Sequence, residues 1–268
     1  MNLSRRTDLA TVAGLLIAGC GLYFGLKLEG IQIYDIGQAT AALIVFCGTA
    51  GAVLISMPLA QTKQALKTLP AILRHSGQPE TEVIEEIIRY ARLVRTRGLL
   101  AVDQETESIR DPYFRRGMRL AVDAVGPDMM KNVLEADIAG LKAQAESAAV
   151  VFETAAGYAP TLGVAGAAIG LVQVMKHLDH IEQVGVGVAA AFVATIYGVL
   201  LANLVLLPIA TKIRAQAEYR ARTCGLLREG VLSIAAGLNP ALIRLKLEAL
   251  AQLNDDHPSE RTLRAKAA

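Results

Sequence analysis

The sequence predicts an all-α polytopic membrane protein with four transmembrane helices and a helical cytoplasmic domain. Four apolar stretches, residues 9–26, 36–60, 154–175 and 184–211, contain no Asp, Glu, Lys, Arg or His. Each has roughly the 20 residues a helix needs to cross a bilayer core. The 268 residues are 53% hydrophobic with a mean hydropathy of +0.39, more apolar than the soluble range of about 45–50%. Between the second and third stretches, residues 61–153 carry both signs of charge at the density of a soluble domain. Proteins that move ions or sense voltage usually keep an ionisable group in the membrane. These spans have none, so the chain is expected to work with a partner.

Span one follows Arg5 and Arg6. It is expected to be a retained helix rather than a signal peptide, because Cys20 and Lys27 stand where a cleavage site would fall and span two follows at once. The three cysteines make no disulfide framework. Cys20 and Cys47 fall in spans and Cys224 in a charged helix, where they read as packing residues. There is no Trp, and Tyr23, Phe24 and Tyr34 form only a faint interfacial belt. Arg5 and Arg6 precede span one, Lys63, Lys67 and Arg74 follow span two, and Lys212, Arg214, Arg220 and Arg222 follow span four. Positive residues mark the cytoplasmic side, so both termini and the charged block are expected there. The net charge of +2 says little about nucleic acid, but no basic run with interleaved aromatics appears, so no nucleic-acid partner is expected.

In the charged block, Thr81 is expected to cap a helix whose first turns hold Glu82, Glu85 and Glu86, the favourable sign at a helix N-terminus. Val83, Ile87, Tyr90 and Val94 form its apolar face, and Gly98 ends it. A second helix is expected over 101–109, stopping at Asp111–Pro112, and a third over 113–125, breaking at Gly126–Pro127. The fourth starts near Asp128 with the stripe Val133, Leu134, Ile138 and Leu141. No Gly or Pro except Gly140 interrupts it before Gly157, so it is expected to run on into span three. After span four, Ile213, Leu226, Leu227, Val231 and Ile234 keep helical spacing. Asn239–Pro240, an N-cap followed by Pro at the first helical position, starts a last helix with Leu242, Leu245, Leu247 and Leu250. Residues 255–268 are polar and expected to be disordered. No strand signal rises above noise.

Spans three and four are spaced for close contact. Gly163, Gly166 and Gly170 with Ala159 and Ala167 put small residues on one surface, and Gly166-x-x-x-Gly170 matches a membrane packing motif. Span four repeats this with Ala190, Ala194, Gly198 and Ala202. These faces serve either ordinary packing within one subunit or a central site shared between copies and a partner. Thr161, Thr195, Tyr197 and Asn203 bring uncharged polar groups to membrane depth, where each needs a partner or bonds back to its own helix. Pro160 and Pro208 open the backbone ladder near the cytoplasmic ends of both spans and mark a place where the two helices flex together.

Other signals are weak. Gly185-Val-Gly187 is no nucleotide loop, because it precedes a span instead of following a strand. His177 and His180, with Asp179 and Glu182, read as a solvated loop, and no metal site is expected.

Three segments together resemble the MotA family of flagellar stator proteins, within the group that includes TolQ and ExbB. They are Tyr158-Ala-Pro-Thr-Leu-Gly-Val-Ala-Gly-Ala-Ala-Ile-Gly-Leu171, Gly187-Val-Ala-Ala-Ala-Phe-Val-Ala-Thr-Ile-Tyr-Gly198 and Ala202-Asn-Leu-Val-Leu-Leu-Pro208. Arg97-Gly-Leu-Leu-Ala-Val-Asp103 and Glu229-Gly-Val-Leu-Ser-Ile-Ala-Ala-Gly-Leu-Asn-Pro240 are similar to two further family segments. The resemblance covers nearly the whole chain. Four spans beginning inside favour MotA over the three-span TolQ and ExbB. An ExbB/TolQ-like energiser of an outer-membrane process is the alternative. A small-molecule transporter is disfavoured, since no span is internally repeated and none holds a charged substrate site.

The resemblance implies a ring-forming stator subunit, not an enzyme, that needs no cofactor. Five copies would surround a MotB-like, single-span, peptidoglycan-binding partner whose intramembrane aspartate takes up and releases the ion, and the ring would push on a rotor protein of the FliG type. Residues 1–60 and 151–212 are then transmembrane hairpins, the second lining the ion path. Residues 61–150 form the rotor-contacting cytoplasmic domain, 213–254 the C-terminal cytoplasmic helices and 255–268 the tail, all at the bacterial inner membrane. Pro160 and Pro208 match the family's two functional prolines and Thr195 a threonine beside the ion path, where Thr161 and Tyr197 join it. Ala167 stands where sodium-driven members have a second threonine. Sodium wants several fixed oxygen ligands, so H+ is the expected ion rather than Na+. Arg95 and Asp103 match the charged pair proposed to meet the rotor, with Arg89, Arg92 and Arg97 nearby; the acid is Asp where Glu is usual. Ala241 replaces an Arg common in relatives. Asp35 resembles an acidic position thought to help ions enter, and a plain helix N-cap is the other reading.

Overall fold

Prolines and glycines set the breaks between helices. The computed structural model describes residues 6–7, 9–31, 36–72, 74–75, 78–176 and 181–255. These fall into two compact units, one drawn from Met1–Ser76 and Gln144–Gln216, the other from Gly77–Ala143 and Ala217–Ala268. A two-residue antiparallel ladder pairs Arg6 with His75 and Thr7 with Arg74, too short to make a sheet.

The apolar unit begins with α1 (Leu9–Leu28) and α2 (Ala39–Ser56). Span two is therefore shorter than the 36–60 expected. Met57, before Pro58, is extended at φ −126 and ψ 145, because the proline ring disfavours the helical region for the residue preceding it. The chain then enters α3 (Leu59–Ile72). On α2, Ala41, Val45, Thr49 and Val53 are buried at four-residue steps, while Leu43 and Ile55 are 62% and 90% exposed. In water such leucines and isoleucines would be costly to leave out; in a membrane protein they face lipid or other chains. The unit also holds the later part of α7 (Pro127–Met175), α8 (Ile181–Leu200), a π-helical stretch Leu201–Leu206 and the start of α9 (Leu207–Ala235). Helix α7 is continuous for 49 residues, as the absence of breakers before Gly157 led us to expect. Among the described residues, Ala39–Ser56, Pro127–Met175 and Gly187–Ala235 are long and apolar enough to cross a membrane, and Ala13–Leu28 is a shorter apolar helix.

The polar unit holds α4 (Glu80–Arg97), a 3-10 turn Leu100–Val102, the one-turn α5 (Asp103–Thr106), α6 (Pro112–Val122), the first part of α7, the later part of α9 and α10 (Pro240–Asp255). Its core is built on Ile87, Phe114, Met118, Leu134, Val231 and Leu247, all fully buried.

Three boundaries differ from expectation. Pro79, not Thr81, caps α4: its carbonyl accepts from the amides of Glu82 at 2.9 Å and Val83 at 3.2 Å, and its side chain gives no cap bond. The helix expected over 101–109 is reduced to a 3-10 turn and α5. Here the Thr106 and Ser108 hydroxyls donate back to the carbonyls of Asp103 at 2.6 Å and Glu105 at 2.7 Å, and Arg115 donates to the Ile109 carbonyl, competing with helix continuation. Helix α6 ends at Val122 rather than Val125, with Ala124 at φ 54 and the Val125 amide reaching the Leu120 carbonyl, a left-handed helix stop. Asp111, read from the sequence only as a stop, caps α6: its carboxylate accepts from the amides of Tyr113 and Phe114 at 2.9 and 3.1 Å. Of the tail expected over 255–268, Asp255 is the last residue of α10, and 256–268 lie outside the described residues.

Candidate functional site

In the apolar unit, α7 and α8 meet backbone to backbone. A Cβ added at Gly163 would stand 2.8 Å from the Ala194 carbonyl oxygen and 3.2 Å from the Thr195 Cα. One added at Gly170 would stand 3.2 Å from the Ala191 Cα, and one at Gly198 only 3.1 Å from the Pro160 Cα. Small residues let helices approach this closely. The stripe on α8 differs at one position from the sequence reading: Ala191, not Ala190, meets Gly170. The α7 atom nearest a Cβ added at Gly198 is the Ala159 carbonyl oxygen, with Pro160 next to it, and Thr195 lies across from Gly163. Ala167 is half-buried one residue from Gly166, whose added Cβ would touch the Ala194 Cβ at 3.0 Å.

The polar groups divide into those that bond within their own helix and those that bridge. Thr161 is exposed and donates to the Tyr158 carbonyl at 2.8 Å, leaving its hydroxyl oxygen facing outward. Asn203 donates to the Val199 carbonyl at 2.9 Å. Tyr197 bridges: its hydroxyl donates to the Ile36 carbonyl at 2.5 Å, and its ring leans on Phe46 with centroids 6.3 Å apart. This ties α8 to the chain entering α2.

Pro208 is exposed at the second position of α9, directly after the π stretch. The Leu207 amide there reaches back five residues to the Ala202 carbonyl. A proline offers no amide and its ring crowds the preceding turn, and the wider π turn is the ladder's adjustment to it. Such stretches are frequent at functional sites. Its extent carries no signal in the sequence, although Pro208 marks its place. Asp35, His177, Asp179 and His180 lie outside the described residues.

Just beyond the π stretch, α9 and α7 are clamped by a triad that sequence reasoning missed. The Arg214 guanidinium donates to both oxygens of Glu146 at 2.7 and 2.6 Å, and to both oxygens of Glu153, one of them at 2.8 Å. The seven-residue spacing of Glu146 and Glu153 puts both on one face of α7, a legible signal once α7 is one helix.

In the polar unit, α4 carries the arginine cluster. Arg89, Arg92, Arg95 and Arg97 are all exposed. Arg89 lies over the Tyr90 ring, 4.9 Å from its centroid, and reaches Glu86 at 4.0 Å. Arg97 pairs with Glu105 at 3.7 Å; Asp103 is exposed at the start of α5. Arg92 and Arg95 form no salt bridge with any described residue. They line one cavity of about 670 Å³ with Ala241 and Arg244 of α10, and Arg92 also lines a second of about 480 Å³ with Arg97 and Glu105. Ala241 therefore opens onto the arginine cluster, where a longer side chain would fill space. Arg244 holds Glu85 in a two-bond pair at 2.7 and 2.9 Å and keeps its carboxyl below the usual range. Burial raises Glu86.

Behind this face, Arg220 pairs with Asp111 at 2.6 and 3.0 Å. Burial disfavours that carboxylate, but Arg220 and the Phe114 and Tyr113 amides outweigh it and hold its pKa below the ordinary value.

Comparison with known proteins matches residues 105–224 to the model of the MotA/TolQ/ExbB proton channel family. Motility protein A of Bacillus subtilis (strain 168) is 31% identical over 245 residues, covering 90% of this chain and 89% of its own. Chemotaxis protein PomA of Vibrio alginolyticus is 30% identical over 237 residues, covering 88% and 92%. Among solved structures, that of C. jejuni MotAB matches with a TM-score of 0.86 at 27% identity over 91% of this chain and 95% of that one. The flagellar MotAB stator complex from Bacillus subtilis matches with a TM-score of 0.83 at 29% identity over 90% and 95%.

Proposed function

The chain belongs to the MotA/TolQ/ExbB proton channel family as a stator subunit of the flagellar motor, and we propose that its α7–α8 crossing is the fixed wall of an ion path whose titrating group belongs to another chain. Relatives of known structure are MotAB complexes, which supports a MotB-like partner here, with a single span and a peptidoglycan-binding part. The carrying observation is the close backbone approach of Gly198 to Ala159 and Pro160, in apolar segments without a carboxylate.

In this reading four helices cross the bacterial inner membrane with both termini in the cytoplasm, α1 being the first, and five copies ring the partner. When the partner's carboxylate takes up a proton, its charge and hydration change, and its contacts with the exposed Thr161 face change with them. The rigid crossing cannot absorb that by opening. It passes the displacement to the two places where the backbone ladder is already open, Pro160 and the π turn before Pro208. The Arg214 clamp carries the bend onward from there, and Tyr197 holds α8 to the entry of α2. Ala167 contributes no hydroxyl beside Thr195, which supports H+ rather than Na+ as the ion. The subunit makes and breaks no covalent bond and needs no cofactor. Arg92 and Arg95, exposed beside Arg89 and in no salt bridge with a described residue, are the rotor-facing cations toward a FliG-type protein; Asp103 is the matching acid, and Glu105, already paired with Arg97, flanks it.

The test is genetic and mechanical. Deleting the chain abolishes swimming, and restoring it with its partner returns rotation. Reversal by Arg95→Glu weakens rotation while membrane assembly persists. Normal swimming after deletion, with loss of outer-membrane transport instead, would overturn the stator reading.

A further inference from the structure

We propose that the outward face of α3 is a docking surface for anionic phospholipid headgroups. Helix α3 (Leu59–Ile72) follows α2 after only Met57 and Pro58. Its inner stripe is fixed to the apolar unit: Ala65 is fully buried against a cluster containing Phe152 and Ala210, Leu69 packs on it, and the Gln61 side-chain amide donates to the Ser147 carbonyl at 3.0 Å. These three positions recur at four-residue steps. The opposite stripe, Leu59, Ala60, Lys63, Leu66, Lys67 and Pro70, is exposed throughout. Leu59 is 57% and Leu66 54% exposed.

The helix contains no Asp or Glu. Lys63 and Lys67, one turn apart, form no salt bridge with any described residue. Two open leucines around two lysines without a salt bridge to any described residue have no rationale in water. They fit the boundary between acyl chains and headgroups, where the leucines insert and the lysine stems run along apolar surface with their ammonium groups outward. The surface is continuous with the last turn of α2, where Leu54 and Ile55 are 52% and 90% exposed. Lysine near an anionic leaflet gains enough to favour anionic over zwitterionic lipid by about fivefold each, or roughly 25-fold for the pair. The face would thus set the height of the hairpin in the bilayer and gather anionic lipid around the subunit. The inference rests on the proposed cytoplasmic orientation of α3.

The chain contains no Trp, so Leu66→Trp supplies a reporter on this face. The full complex with its partner subunit, carrying Leu66→Trp, is reconstituted in bilayers with dibrominated phosphatidylglycerol or dibrominated phosphatidylcholine, and the unsubstituted complex gives the partner's background emission. Ala60→Trp serves if Leu66→Trp does not assemble. The expected result is quenching by both lipids, with phosphatidylglycerol preferred by roughly 25-fold and the preference lost on adding Lys63→Gln and Lys67→Gln. Equal quenching by both lipids, unaffected by the lysines, would overturn headgroup recognition. No quenching by either would show the face covered by a second copy or by the partner, and would overturn the proposal too. Protease access to a C-terminal tag in inside-out vesicles reads the orientation separately, so that reading can fail without reference to the quenching.

Discussion

Gly163→Ala is a direct structural perturbation of the helix crossing. The new methyl would stand 2.8 Å from the Ala194 carbonyl oxygen and 3.2 Å from the Thr195 Cα, where ordinary contact begins near 3.4 Å. The worse contact falls short by 3.4 − 2.8 = 0.6 Å, and the obstacle is backbone on a neighbouring helix rather than a flexible side-chain end. Helices α7 and α8 must part or shear by about that much along several residues. Overpacking of this kind costs about 1–3 kcal/mol, against a helix-propensity gain of at most about 1 kcal/mol for replacing Gly by Ala. The net expectation is roughly 1–2 kcal/mol of destabilisation, read as a lowered unfolding midpoint of the reconstituted complex. Rotation of tethered cells should slow as well, because the same shift moves Thr195 and the Pro160 region. Gly140→Ala is the control. It lies on the same helix with nothing within 4 Å of the added carbon, so it should be neutral or slightly stabilising. If Gly163→Ala melted and rotated like the native protein while Gly140→Ala behaved no differently, the close crossing would have no mechanical meaning.

Two further outcomes are expected. Asp111 both caps α6 and pairs with Arg220, so Asp111→Asn should cost about 1–3 kcal/mol near neutral pH. Its folded-state pKa lies below its ordinary value of 3.8, so this contribution is full above about pH 4 and is lost as acid takes the pH down through the folded value. The melting difference between native and variant complexes should therefore be flat from pH 5 to 7 and shrink toward pH 3; a difference that grew on acidification would contradict the assignment. Arg214→Gln should slow rotation because it leaves Glu146 and Glu153 without their shared cation. Adding Glu146→Gln and Glu153→Gln should recover part of the loss by removing the stranded like charges, and no recovery in tethered-cell speed would count against a clamp.

Much of the architecture was legible because its determinants are local or strongly periodic. Charge-free runs, the unbroken stretch from Asp128 to Gly157, the small residues facing across α7 and α8, the break at Asp111–Pro112 and the cap at Asn239–Pro240 all act within a turn or two of where they are written. The misplacements came from competition at short range. Met57–Pro58 ends α2 early, and back-bonding by Thr106 and Ser108 shortens the helix expected after Gly98. At the site, Pro160, Thr195 and Gly198 were readable as small or breaking residues on facing helices. Which alanine would meet Gly170 depends on helix rotation, and that is fixed by packing rather than by the stripe alone. The π stretch was not readable in extent, since a ladder can answer a proline by kinking, by losing a bond or by widening. The Arg214 triad needs two helices in register, and nothing in the spacing of one helix names its partner.

The central claim, that this chain provides a carboxylate-free wall and couples protons carried by its partner, is tested most directly by rotation in sodium-free medium. Cells carrying this chain and its partner as their only stator are tethered in potassium buffer with sodium removed, and an inward proton gradient is imposed. Rotation speed is predicted to follow the proton gradient, to be unchanged when sodium is restored, and to vanish when the partner's intramembrane carboxylate is replaced by its amide. Rotation that stopped without sodium, or persisted without that carboxylate, would contradict the account.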